Sequence, residues 1–149
     1  MDVVLSGADV EGKHRGLGIS TIAFKSLPTV DHDILIIENS FHAPGGPAKH
    51  LHFDQDEFFY ALEGSFVIEV GECRYHMEAG DSLMAPRRVP HVWASVGSGV
   101  GRMLISFTPA GLMESFFRTV TLENAMPPSD PELWLAHGME LKGPPLSLD

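Results

Sequence analysis

The sequence predicts an antiparallel β-sandwich or barrel that is followed by one or two short helices. Between residues 57 and 107, short segments rich in β-branched and aromatic residues recur at roughly ten-residue spacing, with glycine-centred turns between them. This spacing is typical of antiparallel all-β folds, whereas a parallel sheet would show helical patterns between its strands. After residue 107 the apolar spacing changes to that of a helix.

The size and charge of the chain restrict what it can be. With 149 residues, it has the length of a single domain, which we expect to span residues 1–149. The formal net charge is −10, and a chain with few lysines and arginines does not suit phosphate backbones or anionic membrane surfaces. We therefore expect no nucleic-acid partner and no membrane partner.

The single cysteine and the composition of the first residues predict a cytoplasmic protein. Cys73 is the only cysteine, so no intrachain disulfide can form, as is usual in a reducing compartment. The first sixteen residues, MDVVLSGADVEGKHRG, contain no apolar run of the length that a secretory signal needs. No stretch approaches the ~20 apolar residues of a membrane span.

The predicted strands follow one another closely along the chain. LGISTIAFK (residues 17–25) predicts one strand and ILIIENSF (34–41) the next, and the Pro44–Pro47 loop then leads into a strand that carries His50 and His52. The remaining strands are predicted at EFFYAL, SFVIEV, CRYHM, SLMA, HVWASV and RMLISF. These segments form a barrel core over about residues 17–108.

A helical extension is predicted over about residues 110–149. Met113, Phe116, Phe117 and Val120 follow i, i+3, i+4, i+7 spacing, which places them on one face of a helix. The segment PELWLAHGM predicts a second short helix that is capped by the aspartate before it, and the tail GPPLSLD is predicted to be extended. We expect both helices to cover the outside of the sheet; the alternative is that one of them closes a pocket.

Four residues predict a metal site. His50 and His52 are two residues apart on a strand, so they point to the same side with Cα atoms roughly 6.6 Å apart. Glu57 follows across a short polar bend, and His91 lies on a distant predicted strand. Three imidazoles and one carboxylate would give an N3O ligand set.

These residues also carry a resemblance to a known family. His50, His52, Glu57 and Gly64 match the first motif of the cupin superfamily, which consists of small jelly-roll barrels with a central metal. Gly80, Pro86 and His91 match the second motif, but Arg88 stands where the motif usually has glycine and Ser95 where it usually has asparagine. The resemblance implies a cupin jelly-roll barrel in which His50, His52, Glu57 and His91 are the metal ligands.

The ligand types indicate which ions the site would accept. Three imidazoles and a carboxylate suit a divalent transition metal, namely Fe, Mn, Ni, Cu, Co or Zn. Four protein ligands leave one or two coordination positions open, as in catalytic metal sites. Binding requires neutral imidazoles, so the metal affinity is expected to fall as the pH drops from 8 to 5.

Strand alternation also predicts the pocket wall. If His50 and His52 face inward, the neighbouring inward positions are Phe59 and Ala61 on the Glu57 strand and Trp93 and Ser95 on the His91 strand. Aromatic side chains beside an open metal position suit an apolar or aromatic ligand. The same side chains would equally serve as the core of the barrel.

Three functions are compatible with these features. The C-terminal segments TPAGLMESFFRTV and HGMELKGPPL resemble those of small bacterial cupins described as quercetin-dioxygenase-like. This resemblance implies an oxygenase that acts on a small aromatic or flavonoid-like molecule. Glu57 would then be both a metal ligand and the catalytic proton acceptor. One alternative is a metal-dependent isomerase or lyase for a polar metabolite, with Arg102 or Lys49 as the cation near the substrate. The other is a binding or sensing module.

The expected partners are a small molecule and a second copy of the chain. A second copy is expected because exposed sheet edges favour homodimers.

Overall fold

The computed structural model describes residues 3–148 and contains eleven strands and two short helices. The strands are β1 (Arg15–Leu17), β2 (Ser20–Ser26), β3 (Leu35–Phe41), β4 (Ala48–His52), β5 (Asp56–Glu63), β6 (Phe66–Val70), β7 (Cys73–Met77), β8 (Ser82–Ala85), β9 (His91–Ser95), β10 (Gly101–Thr108) and β11 (Met139–Pro145). The helices are α1 (Met113–Val120) and α2 (Pro131–Leu135).

The strands form two antiparallel sheets that pack face to face. One sheet has six strands in the order β1-β2-β3-β10-β5-β8, and the other has five in the order β11-β4-β9-β6-β7. Some neighbours are consecutive hairpin strands, such as β6 and β7, whereas others, such as β3 and β10 or β4 and β9, are distant in sequence because the chain crosses between the sheets. The prediction of a double-sheet jelly-roll sandwich with short C-terminal helices is confirmed.

Aromatic side chains fill the space between the sheets at one end of the barrel. The ring of Trp93 lies 5.3 Å from that of Phe41 and 5.6 Å from that of Phe59, both in edge-on geometry. Phe66 is 6.0 Å from the same indole. Edge-on aromatic pairs add to the free energy gained by burying their area. This end of the barrel is therefore a packed core.

Two strands differ from the sequence prediction. The first predicted strand is a hairpin of β1 and β2, because the chain turns at Gly18, whose φ of 64° is in the left-handed region. The segment Met139–Pro145, of which only the last three residues belong to the tail predicted as extended, is the strand β11 and pairs with β4, while Asp149 at the end of that tail lies outside the described residues. Gly143 and Pro145 fall where its register shifts, and such residues are tolerated at irregularities of an edge strand. β11 thus places the histidine-bearing β4 inside the sheet.

Both helices form where the sequence predicts them. The four buried residues of α1 are those of the predicted face: Met113, Phe116, Phe117 and Val120. α2 begins at Pro131, and the Asp130 side chain accepts a hydrogen bond from the backbone N–H of Glu132. Within residues 3–148, neither helix has the length and apolar character needed to cross a membrane.

Arg88 has a left-handed backbone, with φ at 68°. Its backbone N–H donates a 2.7 Å hydrogen bond to the carbonyl oxygen of His52, so the Arg88 turn is fastened to the strand that carries two of the candidate ligands. A left-handed conformation costs a residue with a Cβ about 1–2 kcal/mol. The position therefore favours the glycine that the cupin motif usually has there.

We expect Arg88→Gly to raise the free energy of unfolding by about 1 kcal/mol, because glycine removes the backbone strain. Urea denaturation would measure the change. Arg88→Ala is the matched control, since it removes the exposed guanidinium but keeps a Cβ; its stability should stay within about 0.5 kcal/mol of the parent. Equal stability of the glycine and alanine variants would show that the turn is not strained.

Candidate metal centre

The four candidate ligands come from both sheets and meet inside the barrel. His50 and His52 lie on β4 and His91 on β9, with His50 and His91 directly paired across these strands. Glu57 lies on β5 in the opposite sheet. All four side chains are buried. The packing of one sheet on the other therefore brings the carboxylate to the three imidazoles.

The loop before β4 depends on a glycine. A Cβ on Gly46 would lie 2.0 Å from the carbonyl oxygen of Trp93, which is far too close for any side chain. The neighbouring Gly45 exchanges two backbone hydrogen bonds with Ser95, at 3.0 and 2.9 Å. This close approach docks the Pro44–Pro47 loop on β9 and fixes where the His50–His52 strand begins.

The candidate ligand atoms lie close together, but several of them have no hydrogen-bond partner. One ligand atom from each of His50, His52, Glu57 and His91 lies within 4.8 Å of all the others. Glu57 Oε1 is 2.9 Å from His52 Nε2 and 3.0 Å from His91 Nε2, yet these three atoms make no hydrogen bond of acceptable direction and are inaccessible to solvent. Buried polar atoms are normally paired.

A divalent ion fits this arrangement. Two ligands on opposite sides of an ion, each at about 2.2 Å, are about 4.4 Å apart, so the observed spacing closes around an ion with small side-chain adjustments. Coordination would also satisfy the unpaired nitrogen and oxygen atoms that face one another. The four-residue cluster therefore fits the predicted transition-metal site; the identity of the metal stays open.

Two of the four groups are held in the protonation state that metal binding requires. Burial, reinforced by the nearby imidazoles of His91 and His52, lowers the pKa of His50 well below its usual range. Burial by itself would raise the pKa of Glu57, but the imidazoles of His91 and His52 outweigh it and hold that pKa far below the ordinary range. His50 Nδ1 donates a 2.8 Å hydrogen bond to the carbonyl oxygen of Ala48, which leaves Nε2 free to bind an ion.

The lowered pKa of His50 predicts that the metal-free protein loses stability in mild acid. Below about pH 6.5, His50 takes up a proton in the unfolded chain but stays neutral in the folded chain. The unfolded state then binds more protons, so the free energy of unfolding falls as the pH drops. Between pH 7 and 5 we expect His50 to account for a loss of about 2 kcal/mol.

Urea denaturation in the presence of a chelator at the two pH values would measure this loss. In His50→Gln the loss should shrink by about 2 kcal/mol, because glutamine does not titrate. His76→Gln is the matched control, since His76 is exposed on β7, and it should leave the pH dependence unchanged. A His50→Gln protein with the parent's pH dependence would contradict the prediction.

A narrow apolar cavity extends from the candidate ligands. Its volume is about 50 Å³, and His50, His52 and Glu57 line it together with mostly aromatic and aliphatic side chains. Phe107 lies 5.5 Å from the ring of His52, and the indole of Trp134 lies 4.9 Å from the ring of His50. Pockets for drug-sized ligands usually measure 300–1,000 Å³, so this cavity is much smaller than a typical ligand site.

The two helices close this cavity, so the expectation that they only cover the outside of the sheet is wrong. Met113, Phe116 and Phe117 of α1 and Trp134 of α2 all line it. Phe116 packs against Trp134 at 5.1 Å, which joins the two helices over the ligands. The apolar helical face was visible in the sequence, but only the fold shows that it faces the barrel end instead of a sheet surface.

The four predicted pocket residues are all buried, but they occupy different places. Trp93 lines the cavity, whereas Phe59, Ala61 and Ser95 are not part of its lining. Phe59 packs between His91 and Trp93, at 5.9 and 5.6 Å. Strand alternation fixes which side a residue faces but not its depth in the barrel, and the packed aromatic end separates these positions from the cavity.

Much of the cavity wall comes from residues that the sequence did not single out for the site. Ile37 and Phe107 lie on inner faces of strands, and Met126 and Pro127 lie in the segment between the helices. Alternation along RMLISF marks Phe107 as inward-facing, whereas residues 34–37 are all apolar, so no alternation distinguishes Ile37. No local signal marks Met126 or Pro127, because their position depends on how α1 and α2 pack.

Comparison with known proteins places the fold. A family model described as "Cupin domain" matches residues 41–107, the part that holds all four candidate ligands. No curated protein sequence matches the chain significantly.

Solved structures include several of the same architecture. KdgF from Halomonas sp. is 17% identical with a TM-score of 0.62, and the match covers 73% of this chain and 94% of that one. An RmlC-like cupin from Shewanella frigidimarina is 22% identical with a TM-score of 0.55, covering 74% and 93%. Oxalate decarboxylase from Lactobacillus farciminis, solved with formate, is 16% identical with a TM-score of 0.53, covering 64% of this chain but only 30% of the other. At such identities the likeness shows the fold alone.

Proposed function

Because this chain has the cupin fold, we propose that it is a metal-dependent oxygenase whose substrate is a small, uncharged and largely apolar molecule. The observation that carries the proposal is that three members of the four-residue cluster, His50, His52 and Glu57, line an apolar cavity. The four residues of the cluster would hold the ion, and four protein ligands would leave one or two coordination positions for dioxygen or the substrate. Homodimerisation and a cytoplasmic location stay predictions.

The lining of the cavity supports an uncharged substrate. Within residues 3–148, the only ionisable side chains that line the cavity are those of His50, His52 and Glu57. All three are candidate metal ligands. A charged substrate group remote from the ion would find no buried counter-charge and would lose its hydration at a cost of several kcal/mol. The narrowness of the cavity also favours a single-ring aromatic molecule over a flavonoid.

Even a single ring requires movement of the cavity wall. An apolar cavity that binds benzene measures about 150 Å³, whereas this cavity measures about 50 Å³. Phe116 on α1 and Trp134 on α2 both line the cavity and pack on each other, and Trp134 also packs on His50. Substrate entry therefore requires displacement of side chains on α1 and α2.

The residues of the chain have separate roles in such a reaction. A bound redox-active ion would supply the chemistry that activates dioxygen or the substrate. His50 is oriented for coordination by its bond to Ala48. The lowered pKa of Glu57 favours its role as a ligand over that of proton acceptor, because a carboxylate with so low a pKa is a weak base at neutral pH. Trp134 and Phe107 exclude water from the imidazoles.

The alternative of an isomerase or lyase for a polar metabolite has less support. Arg102, one of its two candidate cations, donates hydrogen bonds of 2.9 and 3.2 Å to Glu38 and does not line the cavity. Lys49 alternates with His50 on β4 and is also absent from the lining. Among residues 3–148, no lysine or arginine lines the cavity, so a bound ion would be the only cation there for an acidic substrate.

Oxygen consumption tests the proposed function. Protein loaded in turn with Fe, Mn, Ni, Cu or Co would be incubated in air with catechol, 4-methylcatechol and a flavonol, and dissolved oxygen would be followed with an electrode. We expect uptake with at least one metal, faster with the catechols than with the flavonol, and none above background in His91→Ala. No uptake with any combination would contradict oxygenase activity.

A binding or sensing module is the second candidate, because the mostly apolar wall of the cavity would also hold a small ligand that does not react. Calorimetry distinguishes it from the enzyme. A metal-loaded protein that binds a catechol but consumes no oxygen, and a His91→Ala variant that binds it with unchanged affinity, would favour the binding module.

A further inference from the structure

Two buried polar side chains stand out in the apolar wall of the cavity. Ser20 on β2 and Asn39 on β3 are 1% and 5% exposed, and both line the cavity that His50, His52 and Glu57 line. A buried polar group that lacks hydrogen bonds costs about 1–3 kcal/mol. Ser20 and Asn39 therefore need hydrogen-bond partners, either in the protein or in a bound molecule.

The hydrogen-bond donors of Asn39 and Ser20 are paired with backbone carbonyl oxygens, whereas their acceptor oxygens receive no hydrogen bond from the described part of the chain. Asn39 Nδ2 donates a 3.0 Å hydrogen bond to the carbonyl oxygen of Thr21, and Ser20 Oγ donates a 3.2 Å bond to the carbonyl oxygen of Leu17. A backbone carbonyl accepts only, so the amide nitrogen of Asn39 must face Thr21. Within residues 3–148, neither Asn39 Oδ1 nor Ser20 Oγ accepts a hydrogen bond. The two side chains therefore present acceptors for an O–H or N–H group.

The strand register gives the offset, measured along the strands, between Asn39 and the candidate ligand Glu57. Glu57 and Leu35 both pair with Phe107, whereas Asn39 pairs with Met103, four residues further along β10. Four residues correspond to about 13 Å along a strand. Asn39 therefore lies at a level of the barrel well removed from that of Glu57, and a molecule that reaches both must be elongated along the strand direction.

We propose that Asn39, assisted by Ser20, determines specificity by accepting a hydrogen bond from a hydroxyl or amine group at the end of the substrate remote from the metal. This inference rests on the proposed function, whose substrate class it makes narrower. The substrate has metal-binding oxygen at one end, an apolar body of about one ring and a neutral hydrogen-bond donor at the other end. Trp93, which also lines the cavity, contributes to the wall along the apolar body.

Two matched ligands test the proposal. The compounds 4-(2-hydroxyethyl)catechol and 4-propylcatechol have the same metal-binding end and nearly the same shape, but only the first ends in a hydroxyl group. Calorimetry would use the zinc-loaded protein, because zinc has no redox states and binding is then measured separately from oxygen chemistry. We expect the hydroxyl compound to bind about fivefold to tenfold more tightly, which is the net effect of one hydrogen bond.

Variants assign this preference to the proposed residues. Asn39→Leu should abolish it and Ser20→Ala should reduce it, while zinc content stays unchanged in both. Asn39→Asp is the matched control: a protonated aspartate can donate to Thr21 and still accept from the ligand, so the preference should persist. Circular dichroism and zinc content would verify folding of each variant.

Two results would overturn the proposal. One is equal affinity of the parent protein for the two ligands, or a preference that survives in Asn39→Leu. The other is failure of the zinc-loaded parent to bind either ligand. Because oxygen uptake takes no part in this experiment, the proposed oxygenase activity can fail while the hydroxyl preference holds, and the reverse outcome is equally distinguishable.

Discussion

Replacing His91 with alanine is expected to reduce the metal content from about one ion per chain to a small fraction and to lower metal affinity by more than 100-fold. His91 Nε2 approaches Glu57 Oε1 at 3.0 Å, and its ring lies 4.5 Å from that of His50. Loss of one ligand in four removes a coordinate bond, whereas loss of a group that only supports a ligand costs 10–100-fold. Element analysis and competition with a chromophoric chelator would measure the effect.

His76→Ala is the matched control, because His76 is an exposed histidine on the edge strand β7. Its metal content should equal that of the parent. Thermal unfolding gives a second measure: an ion at 100 times its dissociation constant stabilises a folded protein by about 2.7 kcal/mol, which raises Tm by roughly 5–10 °C for a chain of this size. This increase should be absent in His91→Ala. Full metal content in His91→Ala would rule out the four-residue site.

Replacing Trp134 with alanine should destabilise the protein by about 3–5 kcal/mol, the usual cost of removing a large buried aromatic side chain. Trp134 is 2% exposed. Its indole packs on the rings of His50 and Phe116, and its Nε1–H donates a 2.8 Å hydrogen bond to the carbonyl oxygen of Pro128. The substitution removes all of these contacts and enlarges the cavity beside the candidate ligands. Urea denaturation would measure the change in stability.

Leu135→Ala is the matched control, because Leu135 is the next residue of α2 and is 51% exposed. Its stability should stay within about 0.5 kcal/mol of the parent. Trp134→Ala should also release its metal to a chelator faster than Leu135→Ala does, since water then reaches His50. If the two variants were equally stable and released metal at the same rate, α2 would not be closing the cavity.

The candidate ligands illustrate how much of this protein could be predicted from the sequence. His50 and His52 are separated by two residues on a strand, so their common orientation follows from the geometry of the β-strand alone. His91 and Glu57 are joined to them by the resemblance to cupin motifs, and the structure brings all four within 4.8 Å. The all-β fold, the α1 face and the Asp130 cap follow from local patterns in the same way.

The left-handed turn at Arg88 is a feature whose backbone conformation could not be predicted from the sequence. The motif indicated that glycine usually stands at this position, but the sequence could not show whether an arginine there changes the turn. The structure keeps the turn, with φ at 68°, because a hydrogen bond to His52 and the neighbouring strands hold the loop. Local strain of about 1–2 kcal/mol is smaller than the sum of the contacts around it.

The sequence by itself determined the fold class, the position of most strands along the chain and the common orientation of His50 and His52, because these depend on alternation, spacing and side-chain chemistry within short segments. Glu57 and His91 joined the candidate ligands through the resemblance to cupin motifs. Only the tertiary structure decided what surrounds those ligands. The pairing of β11 with β4, the closure of the cavity by α1 and α2, and the placement of Asn39 on the same cavity as Glu57 all depend on contacts between residues distant in sequence. Such contacts form where two sheets and two helices pack together, and no single segment encodes that packing.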